Sequence, residues 1–145
     1  MRIVHDLLNA DLDVPEPLVV TVGAFDGVHL GHQQVIRQVV SWAHDSTRPA
    51  TAGLLTFEPL PREVLNHRAA PGRLTTSEQK LALIEQLDID IAFILRFDRA
   101  LATMSPEQFV RVVLVEKLKI AGIVLGHDYR FGANGAGNYD NMLAL

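Results

Sequence analysis

The run Leu18-Val19-Val20-Thr21-Val22-Gly23-Ala24-Phe25-Asp26-Gly27-Val28-His29-Leu30-Gly31-His32 decides how the rest of the chain is read. It starts as a short apolar segment with β-branched residues and passes through a glycine-rich stretch. Val35, Ile36, Val39, Val40 and Ala43 then recur at helical spacing. The pattern predicts a strand, a tight turn and a helix in direct succession. Such a turn brings backbone N–H groups close to an anion, and the first turn of the helix adds unpaired donors and a partial positive charge. The ligand this geometry suits is a phosphate.

Reading outward, Ser46-Thr47-Arg48-Pro49 breaks the first helix, and Ala50 to Phe57 forms a second apolar strand that ends at Glu58-Pro59-Leu60-Pro61. The stretch from Arg62 to Arg73 has no sustained period and reads as a long connection with one short helical piece. Thr75 with Glu78, or Thr76 with Gln79, fits a capping box ahead of Leu81, Leu83, Ile84 and Leu87, and predicts a helix ending near Asp88. Ile91 to Phe97 is a third strand. Ser105-Pro106-Glu107-Gln108 supplies an N-cap, a proline at the first helical position and an acidic first turn for a helix running to about Lys119. Ile123-Val124-Leu125 is a fourth strand, followed by a polar, glycine-rich segment.

Apolar strands alternating with amphipathic helices predict an α/β fold: a Rossmann-like parallel sheet with helices on both faces and right-handed crossovers. Ligands of such sheets sit beyond the carboxyl ends of the strands, at the point where strand order reverses. The segments Gly23 to His32, Pro59 to Arg62 and Gly126 to Gly137 all follow strands and are expected to converge there.

Composition narrows the class. With 145 residues, 48% of them hydrophobic, the chain fits one domain with a substantial core. Lys and Arg total 13 against 17 Asp and Glu, a formal net charge of -4 without a basic run, which speaks against a nucleic-acid partner. The chain has no cysteine, so disulfides, thiolate metal sites and thiol nucleophiles are excluded, and a reducing, cytoplasmic setting is expected. No signal peptide or membrane span is read, and no membrane partner is expected.

His29 and His32 stand three apart at the helix start, a spacing that can bring both imidazoles to one side of the opening turn. Their N–H groups would stabilise phosphate oxygens as charge builds during transfer, chemistry that consists mainly of positioning and electrostatics. Taken alone, such a pair is as often an ordinary helix cap as a ligand site; the flanking glycines shift the balance. The turn is neither a Walker A loop nor a G-x-G-x-x-G fingerprint. A zinc site lacks an evident third ligand, so no metal ligands are assigned.

These residues carry a resemblance. Gly23-Ala24-Phe25-Asp26-Gly27-Val28-His29-Leu30-Gly31-His32 resembles the H-x-G-H signature of the nucleotidylyltransferase superfamily in its flavin-pathway form. Thr56-Phe57-Glu58-Pro59-Leu60-Pro61-Arg62-Glu63-Val64-Leu65, Arg73-Leu74-Thr75, Ser105-Pro106-Glu107-Gln108-Phe109 and Gly126-His127-Asp128-Tyr129-Arg130-Phe131-Gly132 are similar to later motifs of that family, in the same order. The likeness covers nearly the whole chain and is to the amino-terminal FMN adenylyltransferase module of bacterial bifunctional riboflavin kinase/FAD synthetases.

The resemblance implies adenylyl transfer from ATP to FMN, giving FAD and pyrophosphate, with Mg2+ accompanying ATP. It implies catalytic roles for His29, His32 and Asp128, and ATP binding by Gly23, Phe25, Asp26, Gly31, His29 and His32. Flavin contact falls to Pro59, Pro61 and Phe131. Taken singly, a proline pair more commonly just ends a strand and a phenylalanine more commonly fills a core. Arg130 fits a phosphate or a solvated loop equally well, and the glycine-rich stretch 132–138 is either a site loop or a linker. Lys80, Arg62 and Arg73 stay outside the candidate site because cations on helix surfaces and loops are common.

Two departures from the family stand out. Leu60 lies between the prolines where many relatives have histidine, and no Ser-Ser-Thr-x-x-Arg segment occurs before Leu145. On the resemblance, residues 1–145 form a nucleotidylyltransferase domain expected to lack its C-terminal elements, with the riboflavin kinase domain absent. An exposed sheet edge and a homo-oligomer formed through it are then expected. The alternatives are a non-catalytic nucleotide- or flavin-binding module, or an H-x-G-H transferase with another phosphate acceptor.

Overall fold

A computed structural model describes residues 1–13, 16–45, 47, 49–58 and 76–126. Strand β1 (Arg2–Val4) is followed by a short 3-10 turn at Leu7–Asn9, strand β2 (Leu18–Val22) and helix α1 (Leu30–Ala43). Then come β3 (Thr51–Glu58), α2 (Ser77–Glu85), β4 (Ile91–Arg96), a single turn α3 (Arg99–Ala102), α4 (Pro106–Phe109) and β5 (Gly122–Val124). The strands make one sheet in the order β1-β4-β3-β2-β5, with every pair parallel. The expected parallel α/β sheet is therefore present. Strand β1 is an addition: three residues at the amino terminus are too short a run to announce a strand.

Both faces of the sheet are packed, which explains why its strands read as continuous apolar runs. All five residues of β2 are buried. Leu18, Val20 and Val22 face one way, with Leu55, Phe57, Ile91, Phe93 and Leu95, under Leu101, Phe109, Val113, Leu114 and Leu118. Val19, Ala52 and Leu54 face the other way, under Ile36, Val39 and Ala43 of α1 and Ile84 of α2. Far from the candidate site, Asp90 Oδ2 accepts from the Ala52 N–H and bonds the His44 ring, each at 2.8 Å, joining the end of α1 to the starts of β3 and β4. At the sheet edge Gly122 lies against the half-exposed Trp42 indole, leaving no room for a Cβ.

The capping alternatives resolve in favour of Thr76: its hydroxyl accepts from the Gln79 N–H at 3.1 Å, and the Gln79 side chain accepts from the Thr76 N–H at 2.9 Å. Helix α2 ends at Glu85, short of the expected Asp88, which instead adopts a left-handed φ of 71°. Ser105 and Pro106 start α4 as expected, with Gln108 completing a capping box.

The expected helix to about Lys119 is present, but it is not α-helical throughout. From Val110–Lys117 the turns widen to a π-helix, with the Leu118 N–H reaching the Val113 carbonyl at 3.0 Å. Valines at 110, 112, 113 and 115 are stiff at χ1 and weaken the tighter helix. Phe109, the Val113-Leu114 pair and Leu118 recur at a spacing of four to five, so the wider turn sends them all into the core.

The chain moves outward from β2 through β3 to β4, then returns to the other side of β2 at β5. Strand order thus reverses at β2, and the loop between β2 and α1 lies at the switch point, where parallel sheets place ligands.

Candidate functional site

The loop from Gly23 to His29 is held in an unusual path. Phe25, Gly27 and Val28 have φ of 55°, 80° and 43°. Glycine takes such values freely, whereas a β-branched residue does so only where its surroundings enforce it. Here they do: the Val28 N–H bonds the Phe25 carbonyl at 3.2 Å, the Gln33 side chain donates to the Val28 carbonyl at 3.1 Å, and Val28 is buried. Phe25 folds back over Gly23, where an added Cβ would come within 3.1 Å of its ring. Phe25 and Asp26 are both buried, so the loop encloses a carboxylate beside the start of the helix.

His29 is the N-cap of α1. Its Nδ1 accepts from the His32 N–H at 3.3 Å, which places the proton of the neutral ring on Nε2. Its ring leaves only 3.1 Å to a Cβ at Gly31, so glycine there makes room for the cap. The His29 and His32 rings stack with centroids 3.5 Å apart and planes 19° from parallel, and Phe25 meets His32 edge-on at 5.1 Å. The expectation that both imidazoles share one side of the opening turn is met.

Burial, together with the charge His29 would carry, pushes the His32 ring from its ordinary 6.5 down to about 4, against a smaller opposing pull from Asp26. His32 is thus neutral near pH 7, a hydrogen-bonding group rather than a fixed positive charge. Its Nδ1 is buried with no hydrogen-bond partner among the described residues. Helix geometry leaves the N–H groups of Leu30 and Gly31 without intrahelical acceptors. The arrangement offers N–H donors and a helix N-terminus, the donor set of a phosphate site.

The structure brings Gly23, Phe25, Asp26, His29, Gly31 and His32 together on this one loop and helix start. Asp128, Pro59, Pro61 and Phe131 lie outside the described residues, as do Leu60, Arg62, Arg73, Arg130 and stretch 132–138. Strand β5 does lead toward the site, since the Cβ position of Gly126 is 3.9 Å from Val35 of α1. Among the described residues, no group of three or more His, Asp or Glu side chains could hold a metal ion. No helix among them is long and apolar enough to cross a membrane.

Lys80 requires correction. It is not a solvated helix-surface cation but is fully buried, with Nζ 3.2 Å from the Ala24 carbonyl, 3.1 Å from Thr56 Oγ1 and 3.1 Å from Glu58 Oε1. The signal was present in the sequence. Lys80 sits beside Leu81 and four residues before Ile84, on the apolar face of the capped helix.

Residues 11–145 match the family described as FAD synthetase. The chain is 38% identical over 119 residues to the bifunctional riboflavin kinase/FMN adenylyltransferase of Buchnera aphidicola subsp. Schizaphis graminum, covering 82% of this chain and 38% of that protein. It is 34% identical over 144 residues to the protein of the same description from Haemophilus influenzae, covering 99% and 46%. The corresponding Bacillus subtilis protein is 35% identical over 125 residues, covering 86% and 39%. The chain spans less than half the length of these curated relatives. A crystal structure described as a macrolide-efflux protein from Streptococcus pneumoniae superposes with a TM-score of 0.81 at 20% identity, covering 99% of this chain and 47% of that one. At that identity the likeness speaks for the fold alone.

Proposed function

The chain belongs to the FAD synthetase family, and we propose that it carries the site that transfers the adenylyl group of ATP to FMN, giving FAD and pyrophosphate. The observation that carries this reading is the stacked His29–His32 pair at the N-terminus of α1, at the switch point of a parallel sheet.

In the proposed reaction a phosphate oxygen of FMN attacks the α-phosphorus of ATP. The new P–O bond forms as the bond to the β-phosphate oxygen breaks, and pyrophosphate leaves. No covalent enzyme intermediate is needed; the protein aligns the two phosphates and stabilises the charge spread over the transferring group. His29 contributes its Nε2–H and the neutral His32 a ring N–H, while the first-turn amides of α1 supply further donors. Gly23, Phe25, Asp26 and Gly31 shape the nucleotide loop. Asp128 helps position phosphate or magnesium, and Pro59, Pro61 and Phe131 border the flavin. A magnesium ion accompanying ATP would be held mainly by phosphate oxygens and water, and would supply neutralisation of the phosphate charge. The setting proposed for this reaction is the cytoplasm, where ATP is available.

The test is FAD formation from FMN, ATP and magnesium by the protein that contains this sequence, with FAD quantified chromatographically. Production of FAD supports the reading. Binding of ATP or FMN without product would favour a non-catalytic binding module, and adenylylation of a different phosphate acceptor would move the chain elsewhere in the superfamily.

A further inference from the structure

A buried ammonium joins the proposed nucleotide loop to the end of β3, the strand that leads into Pro59. Lys80 Nζ donates to the Ala24 carbonyl at 3.2 Å, to Thr56 Oγ1 at 3.1 Å and to the Phe57 carbonyl at 3.4 Å, and it pairs with Glu58 Oε1 at 3.1 Å. The Thr56 hydroxyl donates to the same Ala24 carbonyl at 3.0 Å. Ala24 belongs to the nucleotide loop: it follows Gly23, whose N–H is held by the Leu55 carbonyl at 3.0 Å, and precedes Phe25 with its left-handed φ. Thr56, Phe57 and Glu58 are the last residues of β3, immediately before Pro59.

Lys80 itself belongs to neither segment. It projects from the first turns of α2, whose start the Thr76–Gln79 capping box fixes. An apolar side chain could fill an interior position of a helix without the cost of taking a charge out of water. What the ammonium adds is direction: several bonds from one atom to the nucleotide loop and to the end of β3.

We propose that Lys80 is a positioning residue for adenylyl transfer, its ammonium locking the nucleotide loop at Ala24 to the end of β3 and so fixing the ATP phosphates relative to the incoming flavin phosphate. The inference rests on the assignment of ATP and FMN made above. Each substrate has its own segment, so loss of the tether leaves either one able to bind alone. The displacement needs both in register, and a misplacement of about 1 Å costs about 100-fold in rate.

The experiment compares the protein with K80M, the double variant K80M/E58Q, which removes both charges of the Lys80–Glu58 pair, and T56V, which keeps the shape of residue 56. Thermal unfolding reports folding, calorimetry the separate affinities for ATP and FMN, and steady-state kinetics kcat and KM. Amide hydrogen exchange follows residues 23–28 and 56–58. The folded K80M/E58Q variant is expected to bind each substrate within about threefold of the parent, to lose about 100-fold in kcat, and to exchange faster in both segments. T56V moves the same way by less, and carries the test if the lysine variants do not fold. Parental kcat in a folded variant, or a loss confined to KM for one substrate, overturns the proposal. So does faster exchange in α2 alone, a result that counts whatever the activity. A parent protein that makes no FAD from ATP and FMN sinks the functional reading instead.

Discussion

His29 does two things with one ring, and they can be separated. Its Nδ1 caps α1 at the His32 N–H, while in the proposed reaction its other nitrogen would offer a proton to phosphate. Serine is a better N-cap than histidine but has no imidazole. In H29S, stability measured by urea unfolding should therefore stay within about 0.5 kcal/mol of the parent or rise, while FAD formation should fall by on the order of 100- to 1,000-fold. Parental turnover would remove His29 from the reaction. His32 gives a pH signature. With its native value near 4 and its unfolded value near 6.5, the unfolded chain binds a proton that the native state does not between those limits. Stability should therefore rise with pH across that window, on account of this residue. Replacing it, as in H32Q, should flatten that part of the profile in urea midpoints measured from pH 4 to pH 7; an unchanged slope would place the ring in a more polar setting than its burial implies.

At the scale of the element, helix starts are the sharpest features. Thr76 and Ser105 each close a capping box, so T76A and S105A should each cost about 1 kcal/mol of unfolding free energy. An effect near zero in urea titrations would mean that packing alone fixes those helix ends. These starts were legible because a cap is a local event between residues three apart. The same holds for the strand, turn and helix around Gly23 to His32. For Lys80 the spacing to Ile84 announces a place on the apolar face, but not its partners, which lie 23, 24 and 56 positions away. The π-helical turns after Phe109 were missed for a related reason: a run of valines looks helical until the core demands a spacing nearer five than four.

At the scale of the molecule, the unbroken apolar runs told that the sheet was parallel and covered on both faces, but not its strand order. That order depends on which strand returns beside β2. Strand β5 does so through three residues, Gly122 to Val124, paired with Val19 to Thr21, and Trp42 of α1 closes over Gly122. G122A should push the half-exposed indole aside at a cost below the roughly 1–3 kcal/mol of overpacking a closed core. The check is a lower thermal midpoint together with a red-shifted tryptophan emission; an unchanged spectrum would mean that Trp42 does not seal this edge.

The sequence contains a single tryptophan, and it lies about 15 Å along the axis of α1 from His32. Indole emits where an isoalloxazine ring absorbs. A flavin seated beyond the carboxyl ends of the strands would therefore draw energy from Trp42, and its arrival and departure would be visible as quenching and recovery of a native fluorophore. On the proposed function, the residue that packs over the edge strand would double as an optical gauge of the site at the other end of its helix, without any label.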